Sequence, residues 1–262
     1  MNANKPHDVV AQLIEDLAQG RRVLIPSTER PQAKVMQELL CEVADFAQQD
    51  ESEQGLRQFL VEKLGVDNSD VVRVVTSGFH EFSNGFIVAA GNAHVTMTGN
   101  GVLLAIGNAS VIARGRATVF GTGNSSFRLY DHTVASLSGA VQVNSYDYSS
   151  GTAEGAVRGI ARNRSQWKLF GEAEFDAYDN SLTYGRDSSS IRAYDSSKLI
   201  GRERVKAQLF DGANGWFTDE SEIFLHGSSI VYAQPSARCH VRGSSARLMR
   251  MSAKGLAQAW AS

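Results

Sequence analysis

Residues 92–123 read NAHVTMTG, NGVLLAIG, NASVIARG and RATVFGTG, four consecutive blocks of eight with one chemical rhythm. The rhythm runs from about Thr76 to Met251 without insertions, through blocks such as Ser188–Asp195 (SSSIRAYD) and Glu220–Gly227 (ESEIFLHG). In the twenty octads from Asn92 to Met251, position two is Gly, Ala, Ser or Thr in seventeen, and position four is apolar in fifteen. Position eight is Gly, Asp or Asn in seventeen. A phase held for that long marks a repeat architecture. Side chains alternate along an extended strand, so positions two, four and six share one side and positions three, five and seven the other. Gly tolerates a positive φ, and Asp or Asn can bond nearby backbone amides, so position eight reads as a corner. Each octad is then one short strand and one tight turn, and only stacking buries its inner side.

A second period sets the number of octads per coil. Tyr130-Asp131, Tyr146-Asp147, Tyr178-Asp179, Tyr194-Asp195 and Phe210-Asp211 recur only in alternate octads. The expected coil is therefore sixteen residues, with two strands, two corners and a thin core, repeated eleven times. Bulky and small residues alternate across that core, with Gly159 accompanying Trp167, Phe127 accompanying Ala135 and Phe175 accompanying Thr183. Close packing asks for such pairing.

The octads resemble those of bacterial and phage-associated octapeptide-repeat β-solenoid proteins, with units of the S-A-x-V-x-A-Y-D/G type; Ser188–Asp195 is the nearest copy. The resemblance covers residues 76–251 and implies a fold far more than a function. The fold class expected is mainly β, a two-sided β-solenoid with a small helical module before it and a short capping helix after it. Residues 1–66 form the helical module, 67–251 the solenoid and 252–262 the cap. Within the module, apolar residues at helical spacing place helices over His7–Gln19, Gln32–Gln49 and Gln54–Leu64, with a short strand at Arg22–Ile25. Leu256 and Trp260 would cover the last coil from a helix over Ser252–Trp260, since an open solenoid end exposes strand edges.

The 262 residues carry a net charge of -2, which gives no overall basic excess for nucleic acid. No apolar run reaches the ~18 residues of a membrane span, and the polar start lacks a secretory core, so the expectation is a cytoplasmic protein without membrane contact. Two distant cysteines, Cys41 and Cys239, make neither a disulfide framework nor a four-ligand zinc site. No G-x-S-x-G, Walker A, H-E-x-x-H or C-x-x-C motif is present. Glycine-rich stretches such as Gly99-Asn100-Gly101 and Gly121-Thr122-Gly123 read as corners. Cys239-His240 fails as a nucleophile–base dyad, because adjacent strand residues point to opposite sides. The expectation is no enzyme, no cofactor and no catalytic residue.

Two outward faces differ in character. One has a central column with Leu104, Phe120, Tyr184, Ile200, Trp216, Tyr232 and Leu248, interrupted by Ser136, Thr152 and Lys168. A long apolar strip is a covered or binding surface. Helices folding back would cover part of it, and self-association or a protein partner would take the rest. The other face carries Arg128, Tyr130, Tyr146, Arg162, Tyr178, Arg192 and Tyr194, an aromatic ladder with interleaved arginines. Its plain reading is cross-strand stacking; its functional reading is a platform for a polyanion, a nucleic acid or a glycan. Asp131, Asp147, Asp179, Asp195 and Asp211 would stack along one edge, and Asp187 and Asp219 along the other. Each would cap its own turn, with calcium along the edge as the alternative. The preferred function is a non-catalytic scaffold that self-associates through the apolar face. The alternatives are a binding module on the Arg/Tyr face, or a toxin or effector with its activity in the helical module.

Overall fold

A computed structural model describes residues 6–19, 31–65, 72–252 and 255 of the chain. Contacts divide the chain into two compact units, Met1–Val143 and Asn144–Ser262. Three helices come first: α1 (Pro6–Ala18), α2 (Pro31–Ala47) and α3 (Glu53–Leu64). Each lies within a residue or two of its expected place. Helix α3 shows the local reasons for its ends. The Ser52 hydroxyl accepts from the Gly55 N–H, and Gly65, at φ 64°, closes the last turn by donating to the Val61 carbonyl. The strand expected at Arg22–Ile25 lies outside the described residues, as does the C-terminal cap apart from Ser252 and Gly255.

After the helices the chain winds into a parallel β-solenoid of about 11 turns with about 16 residues per turn. Register proves the repeat residue by residue. Thr96 pairs with Ile112, Ile112 with Arg128, Asp176 with Arg192, and Tyr184 with Ile200. Positions two, four and six are mostly buried, and positions three, five and seven mostly more exposed, with Leu104, Phe120 and Ile200 among the exceptions. All position-eight residues from Gly107 to Gly227 have positive φ, whether Gly, Asp, Asn or Glu. Asp and Asn adopt that region more readily than other side chains, which accounts for the alternation of Gly with Asp at the corners.

The size rule acts along the stack as well as across the core. Gly159 is in register with Phe175, and a Cβ on Gly159 would sit 2.4 Å from the Phe175 ring. That ring tilts against Trp167 with centroids 5.1 Å apart. Gly121 leaves room for Phe127 across the core, Gly201 for Phe217 along the stack, and Gly215 for Phe217 within one strand. Trp167 is fully buried and donates from its indole N–H to the Ser145 hydroxyl at 2.7 Å. Its single polar atom is thereby satisfied.

The phase breaks at both ends of the array. At the start, β1 (Val72–Val75), β2 (Phe79–Ala89) and β3 (His94–Ala105) are irregular. Phe79 pairs with His94, fifteen residues on, and a register shift between Phe82 and Asn84 restores sixteen. Gly99-Asn100-Gly101 is therefore no corner, because β3 runs straight through it. Gly99 serves close approach instead, since a Cβ there would lie 2.0 Å from the Ser83 carbonyl oxygen. Gly121 also lies inside a strand, Thr118–Gly121, and Gly123 alone makes that corner. At the far end an extra residue enters at Arg242-Gly243, and both their N–H groups donate to the Leu225 carbonyl. Ile230 then pairs with Arg247 and Val231 with Leu248. Leu248 consequently turns toward the core, and Met249 takes the outward place in line with Tyr232.

Candidate functional site

The helical module covers the start of the apolar face. Val10, Leu13, Ile14 and Leu17 of α1, Met36, Leu39, Leu40 and Val43 of α2, and Leu56, Leu60 and Leu64 of α3 form one cluster with Val102, Leu104, Ile106 and Phe120. Leu104 and Phe120 are 0% and 1% exposed, so these two expected interface residues belong to the chain's own core. Gln37 extends the contact by donating to the Ser138 hydroxyl and accepting from that of Ser136. The interruption of the apolar column at Ser136 thus has a partner on α2.

Within Asn144–Ser262 one face presents Tyr184, Trp216 and Tyr232, all half-buried, and Met249, 38% exposed. Trp216 and Tyr232 stack with centroids 5.7 Å apart. Ile200, between Tyr184 and Trp216 in the ladder, is enclosed by its neighbours and only 5% exposed. Of the expected self-association residues, Tyr184, Trp216 and Tyr232 are therefore brought together on a surface. Leu248 is not among them, because the extra residue at Arg242-Gly243 turns it inward, and the sequence reading missed Met249.

The opposite face is a stack of flat groups. Tyr178–Tyr194, Tyr194–Phe210 and Phe210–His226 lie 4.8, 4.8 and 4.6 Å apart, within 10° of parallel. Arg162 sits over Tyr178 at 4.8 Å and Arg114 over Tyr130 at 4.4 Å. Arg192 forms a two-pronged ion pair with Asp176, at 2.6 and 3.0 Å, one coil below. Asp176 raises the pKa of the guanidinium above its already high ordinary value. Desolvation leads the upward shift of the Tyr194 hydroxyl, followed by the Asp176 charge. Arg128 is exposed and Tyr146 half-buried on the same face. The rings between Arg162 and His226 occupy each other's faces, so they offer edges outward. A base or sugar ring needs an open π-face to stack on, and the interior of this ladder has none.

The acidic corners work differently from expectation. Asp131, Asp179, Asp187, Asp195, Glu203 and Asp219 each cap the coil before their own, whereas Asp147 accepts from the Asn163 side chain of the coil after it. Asp131 accepts from the Gly115 N–H at 2.8 Å, Asp179 from Asn163 at 3.0 Å and Asp187 from Gly171 at 2.9 Å. Glu203 accepts from Asp187 at 3.1 Å and Asp219 from Glu203 at 3.1 Å. These are inter-coil staples sixteen residues long. A left-handed residue exposes its N–H at the corner, and the next coil's carboxylate lies directly beside it. The Thr218 hydroxyl and the Glu203 N–H together hold the Asp219 carboxyl below the usual aspartate value. Among the described residues, no group of three or more His, Cys, Asp or Glu side chains is arranged to hold a metal ion.

Cys239 and His240 diverge as adjacent strand residues must. Cys239 is in register with the core residue Ile223, and burial pushes its thiol pKa up. His240 stacks on Phe224 at 4.6 Å and approaches Glu222 at 3.5 Å. No helix among the described residues is long and apolar enough to cross a membrane. Comparison with protein-family models, curated proteins and solved structures finds no match to the chain.

Proposed function

We propose that the protein is a non-enzymatic scaffold that self-associates through the aromatic face centred on Tyr184, Trp216 and Tyr232. One observation carries this reading. A parallel sheet is normally covered on both faces, and the helices cover this face at Leu104 and Phe120. Within Asn144–Ser262, the equivalent octad position carries large aromatic side chains, among them the stacked Trp216 and Tyr232. Large planar side chains in a row bury much area at low entropic cost, as interface anchors do. The corners are short and uniform, which suits a repeating docking surface better than a water-excluding catalytic cleft. The test is sedimentation velocity of the full chain against Tyr184→Lys/Trp216→Lys at about 0.5 M NaCl, where contacts between exposed charges are screened. The wild-type chain is expected to be oligomeric at micromolar concentration and the variant monomeric, with unchanged circular dichroism. A monomeric wild-type chain throughout that range would refute the proposal.

A further inference from the structure

The final coil of the solenoid is strongly basic. Residues 238–250 contain Arg238, Arg242, Arg247 and Arg250 and no acidic residue. All four arginines are exposed. Arg250 occupies an inward register place, opposite Ala233, and its guanidinium donates to the carbonyls of Gln234 and Ala237 at 2.6 and 2.7 Å. The apolar column thus ends on a cation. Around it the side chains that elsewhere are sealed by the next coil are uncovered: Val241 is 50% exposed, and Cys239 and Leu248 are only half-buried. The strands Arg238–Val241 and Arg247–Arg250 are also the last strands among the described residues. The nearest carboxylates, Glu220 and Glu222, belong to the coil before, and Glu222 lies against His240. This is an apolar patch ringed by arginines.

The three helices carry the opposite charge, with eight acidic against three basic residues. On α2 the outward stripe contains Glu38, Cys41 and Asp45, all exposed or half-exposed, with Glu42 beside them. The field there is felt by the thiol. Burial raises the Cys41 pKa first, and the Asp45 and Glu38 carboxylates raise it further.

We infer that the arginine-ringed last coil of one copy docks on the acidic outer face of α2 of a second copy. Two different patches meet in this contact, so it is heterologous and propagates head to tail until a ring closes or a filament forms. Charge complementarity selects the partner and orients it. The contact is separate from the aromatic face centred on Trp216, and either can fail alone.

The chain carries its own reporters, because Cys41 lies within one patch and Cys239 within the other. The full chain is treated with a flexible bis-maleimide and compared with Cys41→Ser and Cys239→Ser. A head-to-tail contact gives a ladder of dimers, trimers and higher species from the wild-type chain. It gives no crosslinking in either single-cysteine variant alone, and dimers when the two are mixed. Raising NaCl from about 0.05 to 0.5 M weakens the ladder, because exposed charges are screened. Arg238→Glu/Arg242→Glu/Arg247→Glu and Glu38→Arg/Asp45→Arg each lower crosslinking at least tenfold, and mixing these two variants restores dimers. Circular dichroism confirms that each remains folded. Tyr184→Lys/Trp216→Lys keeps the ladder. A ladder that disappears in that variant, crosslinking of a single-cysteine variant with itself, or no ladder at low salt would each overturn the inference.

Discussion

Replacing Gly159 with Ala adds one methyl group at a place where the fold has no room for it. The new Cβ would stand 2.4–2.7 Å from three ring atoms of Phe175, whereas carbon atoms at rest are about 3.5–4.0 Å apart. The ring must therefore retreat by about 1 Å, and Trp167, at 5.1 Å between centroids and fully buried, stands against it. Overpacking of that kind costs about 1–3 kcal/mol. Gly159 is not a positive-φ residue, so Ala also returns about 0.4–1 kcal/mol by restricting the unfolded chain. The net expectation is a loss of about 0–2.6 kcal/mol. Phe175→Leu removes the obstructing ring edge and leaves a cavity of its own. Combined with Gly159→Ala, the two changes should compensate by at least about 1 kcal/mol relative to their sum, as changes at touching residues do. Guanidinium denaturation followed by circular dichroism measures all four corners of the cycle. A stabilised Gly159→Ala, or a coupling within about 0.5 kcal/mol of zero, would refute the packing argument.

The corner staples give two further predictions. Asp187→Ala loses both the acceptor for the Gly171 N–H and the side chain that eases a φ of 55°. It should cost about 1.5–3 kcal/mol in a thermal melt, while Asp187→Asn should recover most of that; equal losses in the two variants would count against the staple. The Asp219 carboxyl is held below its unfolded value chiefly by the Thr218 hydroxyl. Its contribution to stability is therefore complete above the ordinary aspartate pKa and fades as pH falls through the lower folded value. Thr218→Val should shift that acid limb toward higher pH, and a titration of stability between pH 2 and pH 6 (about two units either side of the ordinary aspartate value) would expose an unchanged limb. The Arg192–Asp176 pair, although two-pronged, is largely solvent-facing, with Arg192 56% exposed at its side chain. Arg192→Ala should cost less than about 1 kcal/mol, and a larger loss by the same denaturation assay would show the ladder to be more than a surface feature.

Local chemistry wrote most of this fold into the octads. A buried position, a solvent-facing position and a left-handed corner each demand a distinct residue class, so the repeat can be read wherever all three demands recur. The helices were legible for the same reason, through stripes such as Met36, Leu39, Leu40 and Val43. The failures fall where a demand was met by the wrong-looking residue. Gly99 looked like a corner but serves backbone proximity to Ser83, and both uses call for a missing side chain. The extra residue at Arg242-Gly243 leaves no compositional mark, because Gly243 is as suitable for a bulge as for a turn. One residue was enough to send Leu248 inward and Met249 outward, as a unit register slip must. The inter-coil reach of the carboxylates was also hidden, since an Asp in a tight turn looks the same whichever turn it caps. The aromatic surface was legible as a column, but the rows that the helices cover were not. Which rows the helices take depends on how α1, α2 and α3 pack, as the covered Leu104 and Phe120 show.

The sixteen-residue coil itself is best tested by paired cysteines in a chain lacking Cys41 and Cys239. Arg158 and Glu174 are register partners in parallel strands, whose spacing of about 4.8 Å suits the ~4.4–6.8 Å between disulfide Cα atoms. Arg158→Cys/Glu174→Cys should oxidise to a single intrachain bond in the folded protein, and Arg158→Cys/Gln166→Cys, eight residues apart on different ladders, should remain reduced. Rapid bond formation in the second pair and none in the first would contradict the two-octad coil.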